Sequence, residues 1–117
     1  MSIWNVAPVD SQPELTLIRW QMIEVQKADI TQHYLVGYCL QNNEGQMTSA
    51  ISHFNPTTLT AVTHSGRTYQ LSGPPGTDRD ACYVWERLAA NSGITEWTDT
   101  AEQIWLAYER TQMTSAA

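Results

Sequence analysis

The sequence predicts an α+β domain in which an antiparallel sheet of about five strands precedes two C-terminal helices packed on one face. Charged residues make up only 15% of the 117-residue chain, and a weakly charged, threonine-rich composition favours strands over a helical bundle. Apolar alternation dominates up to residue 72, and helical spacing dominates after residue 77. No repeat or long linker divides the chain, so residues 1–117 are predicted to form a single domain.

The first half of the chain is predicted to form the sheet. Residues 1–14 are typical of an arm or a short edge strand, and the sheet is expected over residues 15–72. Within residues 15–27 the apolar positions switch parity, which indicates a β-bulge or a strand buried on both faces. Further strands are predicted at residues 30–41, 46–54, 59–64 and 67–72. The last two strands form a hairpin around Ser65-Gly66, a two-residue turn in which glycine tolerates positive φ.

Two helices are predicted within residues 77–110, and residues 111–117 are expected to form a frayed tail. The segment Gly-Pro-Pro-Gly at residues 73–76 ends the last strand, because proline cannot donate to a β-ladder. Thr77 or Asp78 is then expected to cap the first helix, which ends near Gly93.

The same segment begins like an ATPase phosphate loop, which requires G-x-x-x-x-G-K-[ST]. Counting from Gly73, the last three positions hold Asp78, Arg79 and Asp80. Two carboxylates beside a triphosphate would repel it. No nucleotide or other cofactor is therefore expected.

Charge and composition exclude several classes of function. The chain carries twelve acidic and six basic residues, and no two basic residues are adjacent, so direct nucleic-acid binding is not expected. Neither a signal peptide nor a membrane span is predicted, because no long apolar run occurs. Cys39 and Cys82 stand outside any C-x-x-C pattern, as expected of free thiols in the cytoplasm.

Two groups of residues are candidate binding sites. His64, Arg67 and Tyr69 flank the tight turn on one predicted side and would suit an anion or a partner's carboxylate, although polar residues at a hairpin end also simply meet water. Tyr83 and Arg87 lie four residues apart on the outer helical face, where they cover either each other or a partner.

Metal binding and catalysis are not expected. The three histidines, His33, His53 and His64, fall on different segments without the short spacing of a zinc site. Neither cysteine has an electropositive neighbourhood that would activate it as a nucleophile.

The segment from Thr63 to Trp85 carries a resemblance. It contains a Ser-Gly-Arg turn, Tyr-x-Leu, Gly-Pro-Pro-Gly and Asp-Ala-x-Tyr-Val-Trp. This pattern resembles one in short uncharacterised bacterial proteins, which are similar to products of mobile genetic elements such as integron gene cassettes and phage. The resemblance implies no activity, cofactor or site residue.

The composition favours a non-catalytic interaction module that forms a homodimer. Five tryptophans and five tyrosines exceed what a small two-layer domain easily buries, so Trp4 and Trp20 are expected at the interface. One alternative is an inhibitor from a phage or mobile element whose acidic helices dock on a basic protein. The other alternative is a small-molecule binder or enzyme with a pocket between sheet and helices.

Overall fold

The computed structural model describes residues 14–116, with side chains to residue 112, and shows an α+β fold built on a mixed seven-stranded sheet. The strands are β1 (Glu14–Lys27), β2 (Ile30–Cys39), β3 (Glu44–Met47), β4 (Ile51–Asn55), β5 (Thr60–Thr63), β6 (Thr68–Leu71) and β7 (Thr98–Asp99). The helices are α1 (Arg79–Asn91) and α2 (Ala101–Ala116). Within the described residues, no helix is long and apolar enough to cross a membrane.

The sheet order is β3-β2-β1-β6-β5-β4, and β7 pairs with β1. The β1–β6 pair is parallel, so the prediction of a wholly antiparallel, roughly five-stranded sheet is wrong in these details. The cause is a crossing between β3 and β4, where Thr48 donates its N–H to Leu35 O at 2.9 Å. Chain neighbours usually pair in space, but this crossing sends β4 to the far edge and brings β6 beside β1.

A bulge divides β1. The pairing with β2 shifts register between Ile18 and Gln21, and Arg19 has a φ of 47°. Beyond the bulge both parities are buried, since Met22 faces one side of the strand and Ile23 the other. The parity switch in the sequence is confirmed, and β1 combines a bulge with burial on both faces.

Two apolar cores lie on opposite faces of the β1–β2 ladder. The first core consists of Leu15, Leu17, Trp20, Met22, Leu35, Cys39, Leu59, Ala61, Tyr69, Leu71 and Ala101. The second core consists of Ile23, Val25, Val36, Met47, Ala81, Trp85 and Ala89. Helix α2 covers the first core and α1 covers the second, so the prediction of both helices on one face is wrong. A strand buried on both faces needs cover on each side, and the two helices supply it.

Trp20 belongs to the interior of the first core. Its side chain is 0% exposed, and its Nε1 donates to Gly73 O at 3.0 Å. The prediction of Trp20 at a subunit interface is therefore wrong, because the indole has no surface to offer a partner. Trp4, the other predicted interface residue, lies outside the described residues.

The helix boundaries follow their capping residues. Asp78 caps α1, since its Oδ2 accepts the N–H of Ala81 at 3.0 Å and its Oδ1 pairs with Arg19 Nη2 at 3.2 Å. The end of α1 near Gly93, which has a φ of 75°, is confirmed. Helix α2 continues to Ala116, so the predicted frayed tail from residue 111 is wrong.

Candidate functional site

A cavity of about 310 Å³ lies between the sheet and the beginning of α2. This cavity, the seam pocket, is lined by Met22, Glu24, His33, Ile51, Phe54, Thr100, Gln103 and Ile104. Its lining combines apolar side chains with a few polar groups, which is typical of a small-molecule site.

The β1–β2 hairpin brings the two titratable groups of the pocket together. Lys27 pairs with Ile30 across a two-residue turn, and the same register places Glu24 opposite His33. Directly opposed side chains on one face of a sheet are neighbours, and His33 Nε2 lies 3.1 Å from Glu24 Oε1. Because side chains alternate along a strand, Glu24 lies on the same face of β1 as Met22, at the solvent-facing edge of the first core.

The opposite wall is held in place by the residues before α2. Thr100 donates both its N–H, at 2.8 Å, and its hydroxyl, at 3.1 Å, to Met22 O. Asp99 Oδ1 accepts the N–H groups of Met22 at 3.3 Å and of Ala101 at 3.0 Å. These bonds fix the first turn of α2 against β1, so the pocket is preformed.

The Glu24–His33 pair can bind a polar group of a ligand. When Nε2 of His33 donates to the carboxylate, Nδ1 remains as an acceptor in the neutral ring or a donor in the protonated one. A carboxylate that orients an imidazole also occurs in catalytic bases, which act beside a nucleophile. The hydroxyl of Thr100 is the lone lining hydroxyl among the described residues, and it is committed to Met22 O.

Both cysteines are free and lie away from the lining of the seam pocket. Burial raises the pKa of the Cys39 thiol, and burial together with the charges of nearby acidic residues raises the pKa of Cys82. A raised pKa leaves less of the reactive thiolate. Among residues 14–116, no group of three or more His, Cys, Asp or Glu side chains could hold a metal ion.

The predicted patch at the β5–β6 hairpin does not form on the surface. Val62 pairs with Thr68, and the Thr63 N–H bonds to Arg67 O at 3.0 Å, so the turn has three residues instead of the predicted two. A shift of one residue moves a side chain to the other face. Tyr69 and Arg67 consequently point into the protein and are buried, whereas His64 is exposed in the turn. Burial raises the pKa of Tyr69, and a hydrogen bond from Arg67 opposes that shift.

The second predicted pair lies on the exposed face of α1. Arg87 Nη1 donates to the Tyr83 hydroxyl at 3.1 Å, and its guanidinium lies 5.8 Å from the centre of the Tyr83 ring. The sequence left open whether Tyr83 and Arg87 contact each other or a partner, and the structure shows that they contact each other.

Comparison with known proteins supplies no relative. No protein-family model, curated protein or solved structure matches this chain. The resemblance of residues 63–85 to mobile-element proteins stays a prediction.

Sequence reasoning missed Glu24 as a site residue and treated His33 as an ordinary strand residue. The signal that could have found the pair is the turn at Ala28-Asp29, because a two-residue turn sets the register of the whole hairpin. That signal is weak, since neither residue is glycine or asparagine. Ala28 nevertheless adopts a φ of 54°, a conformation uncommon for alanine.

Proposed function

We propose that this protein is a non-catalytic binding module that holds a small organic molecule in the seam pocket. The observation that carries the proposal is the preformed cavity of about 310 Å³ with the Glu24–His33 pair in a largely apolar lining. Small-molecule sites in proteins combine these features at about this size. The free thiols fit a reducing cytoplasm as its place of action.

The lining indicates the chemistry of the ligand. Ile51, Phe54 and Ile104 offer an apolar surface for a compact ring or short chain. The carboxylate and imidazole offer an acceptor and a second polar atom side by side, which an amide, an alcohol or an amine can satisfy. The proposed ligand is a small molecule with one apolar body and one hydrogen-bonding group that includes a donor.

A fragment screen followed by ¹H–¹⁵N NMR spectra tests this proposal. Small aromatic and aliphatic amides, alcohols and amines are the probes, and hits are expected to shift the amide signals of residues that line the seam pocket. His33→Gln should weaken binding of a hit by roughly fivefold, since the loss of one hydrogen bond to the ligand costs about 1 kcal/mol.

His64→Gln is the matched control, because it makes the same substitution at an exposed turn outside the pocket. Equal effects of the two substitutions, or shifts that map away from the pocket, would contradict the proposal.

Self-association is a second candidate function, supported by the surface of α2. Leu106 is 50% exposed, and Trp105 and Tyr108, with ring centres 5.3 Å apart, border a groove of about 390 Å³. Leu106 does not line that groove, so the exposed leucine and the aromatic groove are two separate apolar surfaces of α2. Exposed apolar surfaces are typical of interfaces. Docking of the acidic helices on a basic protein stays a prediction.

Sedimentation equilibrium tests self-association directly. A dimer at micromolar concentration should dissociate at least severalfold more readily after Leu106→Gln. Leu40→Gln is the control, because Leu40 is 45% exposed but lies just after β2 and not on α2. A mass equal to one chain at about 50 μM, where a complex of micromolar dissociation constant is mostly assembled, would exclude this candidate.

A further inference from the structure

The lining of the seam pocket joins an apolar wall to a small polar group on one side of the sheet. The apolar wall belongs to the first core or packs against it: Met22, Ile51, Phe54 and Ile104. Glu24 lies on the same face of β1 as Met22 and directly opposite His33. A ligand in the pocket therefore meets the carboxylate, the imidazole and the apolar wall together.

The polar atoms of this lining are mainly acceptors while His33 is neutral. Oε1 of Glu24 accepts a hydrogen bond from His33 Nε2, and Oε2 makes none with the described residues. The imidazole that donates through Nε2 keeps Nδ1 as an acceptor. The hydroxyl proton of Thr100 is used in the bond to Met22 O, so this oxygen can only accept a further bond. A ligand group with several donors and no acceptor matches this set.

The charges around the pocket favour a cation over an anion. Glu24 carries the lone charge of the lining while His33 is neutral, and no lysine or arginine lines the pocket among the described residues. The beginning of a helix attracts anions, but the protein's own carboxylates already occupy the beginning of α2. Asp99 Oδ1 accepts the N–H of Ala101, and Glu102 lies in the first turn. An anionic ligand would therefore be repelled by Glu24 without gaining a free helix end.

We propose that the ligand of the seam pocket is an amphipathic amine, which binds as an ammonium ion beside Glu24 and is released when His33 gains a proton. This inference rests on the proposed function and narrows its class of ligand. An ammonium group has three donors and no acceptor, whereas an alcohol or an amide brings an acceptor of its own. Its charge is attracted to the carboxylate, and its apolar body packs against the apolar wall.

Protonation of His33 removes both advantages of the ammonium group. The protonated imidazole donates through Nδ1 as well as Nε2, so one acceptor of the pocket becomes a donor. Its positive charge lies 3.1 Å from Glu24, compensates the carboxylate and repels a second cation. Histidine is the side chain that ordinarily gains its proton between pH 8 and pH 5. Binding of the amine should therefore weaken as pH falls through this range.

The elements around the pocket carry three further titratable groups next to lining residues in sequence. They are Asp99 in β7, Glu102 in α2 and His53 in β4, and none of them lines the pocket. Carboxyl groups ordinarily titrate below about pH 5, so His53 is the group that must be distinguished from His33. His53 is exposed and pairs with Val62 in the sheet. Its replacement is the matched control for His33.

NMR titration of the full chain with three probes tests the proposal. The probes 2-phenylethylammonium, 2-phenylethanol and 3-phenylpropionate share a phenylethyl group and differ in charge. At pH 8.0 the ammonium should bind at least fivefold more tightly than the alcohol, which corresponds to about 1 kcal/mol, and the carboxylate should cause no saturable shift. An alkylammonium keeps its charge at pH 5.5. Its affinity should nevertheless fall at least threefold at that pH, while the affinity for the alcohol should stay the same.

Substitutions assign the two effects to their residues. Glu24→Gln should reduce the preference for the ammonium over the alcohol to less than twofold. His33→Gln should make the affinity for the ammonium independent of pH between 5.5 and 8.0. Glu86→Gln removes the same charge as Glu24→Gln from an exposed position on α1, outside the pocket. Glu86→Gln and His53→Gln should each keep both the preference and the pH dependence.

The outcomes separate this inference from the proposed function. Equal affinities of the ammonium and the alcohol for the seam pocket at pH 8.0 would overturn the inference and leave the proposed function intact. An ammonium affinity that is the same at pH 5.5 and pH 8.0, or a pH dependence that is lost in His53→Gln and kept in His33→Gln, would do the same. If none of the three probes shifts the amide signals of the pocket, both the inference and the proposed function are contradicted.

Discussion

Gly45 is the point at which helix α1 rests on the sheet, and its replacement by alanine should loosen that contact. Gly45 lies in β3 opposite Tyr38. A Cβ atom at this position would overlap Asp78 Oδ2 and Ala81 N, and would lie 3.0 Å from the carbonyl carbon of Asp80. Two of these atoms belong to the backbone of the first turn of α1 and cannot move as the end of a flexible side chain would.

The expected cost has two parts. The added methyl displaces the Asp78 carboxylate from the N–H of Ala81, and loss of such a cap costs about 0.5–2 kcal/mol. Forcing a methyl group into a closely packed contact costs about 1–3 kcal/mol. Gly45→Ala should therefore lower the free energy of unfolding by about 2–4 kcal/mol, a large fraction of the roughly 5–15 kcal/mol typical of a domain.

Urea denaturation followed by circular dichroism measures this cost. Gly73→Ala is the control, because Gly73 has a φ of 71° but open space around it, so alanine meets only backbone strain of about 1–2 kcal/mol. In an Asp78→Ala background the cost of Gly45→Ala should fall by at least about 0.5 kcal/mol, since one obstructing group is already gone. A cost below about 1 kcal/mol, or full additivity with Asp78→Ala, would refute the reasoning.

Three further outcomes are expected. Trp20→Phe should cost about 2–3 kcal/mol through lost volume and the lost bond to Gly73 O. An unchanged urea midpoint would contradict the buried, hydrogen-bonded position of the indole. Gly66→Val should cost about 1–3 kcal/mol, because Gly66 has a φ of 92°; an unchanged urea midpoint would contradict the turn. Alkaline pH should destabilise the fold. Burial raises the pKa of Cys39 above its ordinary 9.0 and the pKa of Tyr69 above its ordinary 10.0. The folded chain therefore keeps these two protons to a higher pH than the unfolded chain does. The contribution of these two groups to the free energy of unfolding is complete below their ordinary pKa values and is lost as pH rises through their raised pKa values. Tyr69→Phe should therefore flatten the decline in thermal midpoint above about pH 10. A decline identical to that of the unsubstituted protein would show that Tyr69 does not contribute.

The amino-acid sequence determined the features that depend on near neighbours. The observed ends of α1 lie within a few residues of the predicted ones. Local signals set both ends: the proline pair after β6 and the Asp78 cap at the beginning, and Gly93 at the end. The parity switch in β1 likewise located the bulge, because alternation along a strand records which side of the chain is buried. Each of these signals acts over a few residues, so it can be seen without knowledge of the fold.

Tertiary structure alone decided which strands meet and which side chains share a cavity. The β5–β6 turn could hold two or three residues by its composition, and packing of Ala61 and Tyr69 into the first core selected three. The crossing from β3 to β4 set the strand order. Glu24 and His33 are nine positions apart, and their pocket also needs β4 and α2, which are folded against them by contacts between distant parts of the chain. Such contacts depend on the free energy of the whole packed core, and no local pattern encodes them.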